Sequence, residues 1–205
     1  MDKQILWERK AHILSTHLNE LVNRADFLNR KHGDRFEKTL LEERFGVETI
    51  NIASNINKAW YKRSKRVREH VEYLFSLDCE LIFLTLTFDD AVLKSTSPET
   101  RRKYVARWLK KASPVYVANV DYGETKGREH YHALVCSRIS DSLADEWRKH
   151  CGNVNFKKIR KDEKSKKAVP RYISKLTNHA IKETANKGSR IIYSKTKKID
   201  FSEVF

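Results

Sequence analysis

The sequence is poor in the residues that mark several large protein classes. Its 205 residues include 3 prolines and 6 glycines, too few for a Pro/Gly-rich disordered or collagen-like chain. The 3 cysteines, Cys79, Cys136 and Cys151, are odd in number and lack metal-type spacing. They are expected to be buried small residues in a reducing compartment. No apolar run reaches the ~18 residues of a membrane span. The first residues, Met1 to Lys10, lack the long apolar core of a secretory leader. These absences lead to the expectation of a soluble, cytoplasmic protein with no membrane partner. Gly-x-x-x-x-Gly-Lys-Ser/Thr is also missing, so no helicase motor is expected in the chain.

What is present is charge of one sign. Lys and Arg number 42 against 27 Asp and Glu, a formal net charge of +15. Such an excess favours a polyanionic partner, because each neutralised phosphate releases counterions. At 40% hydrophobic residues the chain still has enough apolar material for a core. Its length fits one ordinary domain, or one domain with a helical extension.

The hydrophobic spacing divides the chain near residue 78. Before it the pattern is helical, with Ile5, Leu6, Ile13, Leu14, Leu18, Leu21, Val22 and Leu28 at three- and four-residue intervals. A break at 31–34 leads to a short helix ending at Gly46. A third helical stretch then carries Ile52, Ile56, Trp60, Val67, Val71 and Leu74. The opposite face of that stretch bears Lys62, Arg63, Lys65, Arg66 and Arg68, either a solvated surface or a track for a DNA backbone. Residues 1–78 are thus expected to be a helical extension, bracing the rest or binding DNA, and 79–205 the functional domain.

From Glu80 the character changes. Leu81 to Phe88 is rich in β-branched and aromatic residues and reads as a central strand. Ser97 followed by Pro98 starts a helix running to about Ala112. Strands are expected over Val115 to Tyr122 and His130 to about Ser137, joined by a polar hairpin turn with Gly123 and Gly127. Asp141 is expected to cap a further helix, which Gly152 stops, and Val154 to Ile159 alternates as an edge strand does. Lys157 to Lys167 reads as a lysine-rich loop, with seven basic and two acidic residues. After Pro170 a helix is expected from Arg171 to about Asn186, then a short strand over 190–194. The fold class is therefore α+β, with a βαββαβ antiparallel sheet and a further helix after its fourth strand.

Two constellations carry chemistry. His130 and His132 flank one residue on a strand, so both imidazoles face one way and Tyr131 the other. The hairpin brings a carboxylate beside them, and two imidazoles with a carboxylate suit a divalent metal ion. Asp121, at the end of the preceding strand, is the first candidate for the third ligand and Glu124, in the turn, the second. Glu129 should face the opposite side. Lys126 and Arg128 flank this site as phosphate partners. The second constellation is Tyr172-Ile-Ser-Lys175, in which residues at i and i+3 share a helical face. A phenol is a weak nucleophile until a metal, base or cation activates it, and Lys175 can stabilise both phenolate and developing phosphate charge. Arg171, Lys157, Lys158, Arg160, Lys62 and Arg63 are candidates for contact with a nucleic-acid backbone.

Taken in order, Phe83-Leu-Thr-Leu-Thr-Phe88, His130-Tyr-His132 and Tyr172-Ile-Ser-Lys175 resemble the motifs of the HUH endonuclease superfamily. In particular they are similar to the single-tyrosine rolling-circle replication initiators (Rep) of plasmids and single-stranded DNA viruses. The resemblance covers roughly residues 80–195. It implies an RRM/ferredoxin-like nuclease domain whose helix after the fourth strand carries the catalytic residues. It further implies Mg²⁺ or Mn²⁺ on His130, His132 and a carboxylate, and nicking and joining of single-stranded DNA at an origin, which could lie in a hairpin. Tyr172 would form a 5′-phosphotyrosine link and release a 3′-OH. Where some initiators carry a second tyrosine one turn later this chain has Leu176, so ending a replication round would need a second protomer, as in a homodimer, or water. A helicase and a polymerase would come from the host or replicon. Where close relatives have glutamate before Tyr-Gly, this chain has Asp121.

Other readings predict different behaviour. A relaxase or transposase of the same superfamily would share the chemistry. A non-catalytic single-stranded nucleic-acid-binding module on an RRM-like sheet would use Phe83 to Phe88 and Tyr131 for stacking and need no metal. A zinc hydrolase would not depend on Tyr172.

Overall fold

The computed structural model of the chain describes residues 41–45, 47–123, 128–175 and 191–194. The first two expected N-terminal helices, the hairpin turn at 124–127, the helix expected beyond Lys175 and the basic tail lie outside the described residues. The chain divides into two compact units: Met1–Arg63 with Leu176–Ser189, and Ser64–Lys175 with Arg190–Phe205. In the first, the described residues 41–45 and 47–63 are helical, with Leu41 and Ile50 buried.

The second unit is built on a five-stranded sheet. The elements are helix α1 (Val47–Ser76, contributing its last turns), β1 (Leu81–Thr87), α2 (Asp90–Ser95), α3 (Pro98–Ala112), β2 (Tyr116–Tyr122), β3 (Glu129–Cys136), α4 (Asp141–His150), β4 (Val154–Ile159), α5 (Glu163–Ile173) and β5 (Ile192–Tyr193). The strand order is β4-β1-β3-β2-β5, and every pairing is antiparallel. The first four strands, with α3 and α4, form the expected βαββαβ unit, and β5 extends its β2 edge.

Alternation along the strands builds two different faces. Ile82, Leu84 and Leu86 of β1, Tyr131, Ala133 and Val135 of β3, and Tyr116 and Ala118 of β2 pack beneath α3 and α4. Trp108 and Trp147 fill this layer, their rings 5.6 Å apart, and both indole N–H groups find backbone carbonyls. The other face carries Leu81, Leu134 and Val117, covered by Val67, Val71 and Leu74 of α1 and Val169 and Ile173 of α5.

Several local expectations shift. Ser140, rather than Asp141, caps α4, its hydroxyl accepting from the Leu143 N–H. The lysine-rich segment is not a loop: its first half is β4, and α5 begins at Glu163, seven residues before Pro170. Asp162 accepts from the Ser165 N–H and nucleates that helix, whose acidic first turn suits the macrodipole. Pro170 therefore sits inside the helix and removes one ladder bond. The last strand shrinks to Ile192–Tyr193. Cys79 and Cys136, expected to be unpaired, are joined in a disulfide with Cα atoms 5.7 Å apart. Strand pairing makes this contact: Leu81 stands opposite Cys136, and Cys79 lies two residues upstream. Gly152 has a φ of 149° and leaves no room for a Cβ, which would collide with the Thr87 carbonyl and the Phe88–Asp89 backbone. It lets the chain leaving α4 pass tightly under the end of β1. Among the described residues no helix is long and apolar enough to cross a membrane.

Candidate active site

The site occupies the polar end of the α1/α5 face. Register lays it out in rows. Thr87, His130 and Asp121 stand opposite one another on β1, β3 and β2, and the next row is Thr85, His132 and Asn119. The tips of three of these side chains converge. His130 Nε2 lies 3.1 Å from His132 Nε2, and Asp121 Oδ2 lies 3.4 and 3.5 Å from the two nitrogens. This is the group among the described residues whose ligand atoms cluster tightly enough to hold a metal ion, all within 4.8 Å of one another.

The surroundings aim these atoms. His130 Nδ1 is 3.0 Å from the Arg128 carbonyl, which only accepts, so the neutral ring carries its proton there and leaves Nε2 bare. His132 Nδ1 is 3.2 Å from Thr85 Oγ1, an arrangement that fixes the second ring in the same way. Asp121 uses Oδ1 to accept from the Tyr122 N–H at 2.8 Å, which turns Oδ2 toward the imidazoles. Burial works to raise the Asp121 pKa, but bonds from His130, His132 and the Tyr122 amide outweigh it and hold the carboxyl well below the usual range. Burial works to lower His130, yet Asp121 and the Arg128 carbonyl raise it above the ordinary value. Burial dominates at His132, which is lowered. Two nitrogens and an anionic oxygen pointing at one spot are a donor set for a divalent cation.

Tyr172 stands beside this cluster. It is 53% exposed, and its ring centre is 4.7 Å from that of His132 and 5.6 Å from that of Phe83. The helix stops at Ile173, so Lys175 lies just past the Ser174 cap rather than one helical turn above Tyr172. Its ammonium is still close enough to depress both histidines electrostatically.

The remaining candidates scatter. Glu124 and Lys126 lie outside the described residues, so Asp121 is the carboxylate found with the histidines. Glu129 is buried on the helix-covered face, paired with Arg101 at 2.6 Å. Arg128 donates to the Phe88 carbonyl and pairs with Asp90 at 2.9 Å, tying the hairpin base to the end of β1. Lys157 stands opposite Phe83 in register and is exposed, Lys158 pairs with Glu80 at 2.9 Å, and Arg160 and Arg171 are exposed. On α1, Lys62 is exposed and Arg63 half-buried.

Sequence reasoning overlooked two residues. Thr85 had a signal, a polar residue alternating with leucines in an apolar strand. Asn119 had a fainter one, a lone amide inside the apolar run of β2. It is 1% exposed, and its Nδ2 donates to the Ile173 carbonyl at 2.9 Å.

No curated protein and no solved structure matches the chain. Residues 81–177 match the family model of the replication-associated proteins of the ORF2 type. The match takes in just under half of the chain and spans every site residue described above on β1, β2, β3 and α5. That stretch is similar to the replication-associated proteins of this family, which supports a protein of the replication-initiator type.

Proposed function

We propose that the protein is a metal-dependent single-stranded DNA nickase and ligase that initiates rolling-circle replication. The observation that carries this reading is the convergence of Asp121, His130 and His132 with an exposed tyrosine against the His132 ring. His130 Nε2, His132 Nε2 and Asp121 Oδ2 would hold Mg²⁺ or Mn²⁺. When bound, such an ion supplies Lewis-acid polarisation of a phosphate oxygen.

The chain's own residues do the rest. The Tyr172 phenolic oxygen, having given up its proton to solvent, attacks the scissile phosphorus. A P–O bond forms to Tyr172 as the bond to the 3′-oxygen breaks, and that oxygen takes a proton to leave as a 3′-OH. The product is a 5′-phosphotyrosine link, and attack by a 3′-OH reverses the step. Lys175 offsets negative charge on the phenolate and on the phosphate oxygens. Exposed Lys157, Arg160 and Arg171 suit backbone contact, and the single strand would reach the site over the open β4–β1 side. A purely stacking module fits less well, because Tyr131 is buried beneath the helices at 3% exposure.

The test uses a pool of single-stranded oligonucleotides tiling the DNA around the coding gene, incubated with Mn²⁺. The wild type should form a covalent protein–DNA adduct that EDTA and Tyr172→Phe each abolish. An adduct that survives in Tyr172→Phe would remove the tyrosine from the mechanism. Cleavage that needs the histidines but not Tyr172 would favour a hydrolase.

A further inference from the structure

We infer that Asn119 is a positioning residue for Tyr172, locking the last turn of α5 to the sheet row that carries His132. The inference rests on the reading of Tyr172 as nucleophile.

A buried amide is costly unless it is hydrogen-bonded, and Val117, the preceding residue on this face of β2, shows that an apolar side chain would be accommodated there. Asn119 instead spends its donor on one particular acceptor. Ile173 is the last residue of α5, so its carbonyl belongs to the set that a helix end leaves without an intrahelical partner. The neighbouring carbonyl needs are met locally: Pro170 accepts from the Ser174 N–H at 2.9 Å and from the Ser174 hydroxyl at 2.7 Å. The Ile173 carbonyl reaches across to the sheet, where Asn119 Nδ2 holds it at 2.9 Å.

The position of this contact matters. Asn119 stands directly opposite His132 in the β2–β3 register, and directly opposed side chains are close neighbours. Ile173 directly follows Tyr172. One hydrogen bond therefore links the strand pair that presents the metal ligands to the helix end that presents the phenol. The link is more consequential because Pro170 deletes a ladder bond one turn earlier. Without Asn119 the final turn would be held by the apolar contacts of Val169 and Ile173 alone, which resist separation better than rotation. A helix end free to rotate would carry the phenolic oxygen off line, and a shift of about 1 Å can cost ~10²-fold in rate.

The experiment compares wild type, Asn119→Leu and Tyr172→Phe, with the same oligonucleotide pool and Mn²⁺ as probes. Adduct formation at saturating DNA gives kcat, its concentration dependence gives KM, and calorimetry gives the Mn²⁺ Kd. The expected result for Asn119→Leu is a kcat lower by about 10²-fold with KM and the Mn²⁺ Kd unchanged. NMR of the metal-free protein should show the His132 ring protons losing the shift imposed by the adjacent Tyr172 ring. A wild-type kcat in Asn119→Leu, while Tyr172→Phe forms no adduct, overturns the inference and leaves the nucleophile assignment standing. A parallel fall in kcat and Mn²⁺ affinity also overturns it, since that would mark a general structural role. An adduct in Tyr172→Phe overturns both readings. Should Asn119→Leu fail to fold, Asn119→Thr, which suits a strand interior but is a bond too short for the contact, takes its place with the same expected results.

Discussion

The two faces of the sheet use the same strands for opposite purposes. Beneath α3 and α4, Leu84, Leu86, Phe88, Tyr131, Ala133 and Val135 form a layer with Trp108 and Trp147 in which nearly every atom is apolar. One residue away along each strand, the other face bears Thr85, Thr87, His130, His132, Asn119 and Asp121. Only its far end, around Leu81, Leu134 and Val117, is covered by apolar residues of α1 and α5. Because strand side chains alternate, a slip of one residue would exchange the faces and push the histidines into the tryptophan layer. The apolar face thus fixes the register on which the polar face depends. Stability and chemistry are separated by the thickness of one sheet, and substitutions on each face should separate them in the same way.

The largest effect should come from the polar face. His132→Ala removes one of three converging ligand atoms and is expected to lower adduct formation by about 10³-fold, the scale on which loss of charge stabilisation at a reacting centre is felt. Calorimetry should show Mn²⁺ binding lost, while urea unfolding of the metal-free protein changes little or shows a gain, since a buried imidazole lowered by burial is removed. A marked loss of metal-free stability would break the division of labour between the faces.

Trp147→Ala probes the opposite face. The indole is 1% exposed, packs on Phe88 at 5.5 Å and donates to the Thr87 carbonyl. Its removal should cost about 3–5 kcal/mol in urea unfolding, while the folded fraction keeps its Mn²⁺ affinity. Reduced affinity in that fraction would show that the tryptophan layer tunes the site directly.

How far the sequence disclosed these faces depends on the kind of signal each residue carried. The βαββαβ order was readable because the apolar runs, the Ser97-Pro98 start and the hairpin glycines are local features. The histidine pair was readable because a strand's period of two places His130 and His132 together whatever surrounds them. Asp121 was inferred as a hairpin partner, and its register opposite His130 is a pairing fact that only the sheet reveals. The start of α5 was misjudged because a lysine run and a proline look like a loop, whereas one aspartate cap at Asp162 suffices to begin the helix. The Cys79–Cys136 contact and the Asn119–Ile173 bond join residues 57 and 54 positions apart. Nothing in the local pattern announces such contacts.

The smallest expected effect sits on the boundary between the faces. Thr85 lies in β1 between Leu84 and Leu86, both fully buried beneath the helices, and is itself half-buried on the polar side. Its hydroxyl, 3.2 Å from His132 Nδ1, is the contact that selects which ring nitrogen is left bare. Thr85→Val keeps the shape and the β-branch, so strand propensity and packing are preserved. What changes is the tautomer and orientation of His132. Loss of such an outer partner typically weakens metal binding by about 10- to 100-fold, and the lower end is expected here, because burial and the Asp121 carboxylate still hold the ring in place. Calorimetry with Mn²⁺ checks the affinity and urea unfolding the stability, which should stay within roughly 1 kcal/mol because the hydroxyl's net hydrogen-bond contribution is of that order. Unchanged affinity would mean that Phe83, stacked on His132 with ring centres 5.5 Å apart, orients the imidazole without help from the threonine.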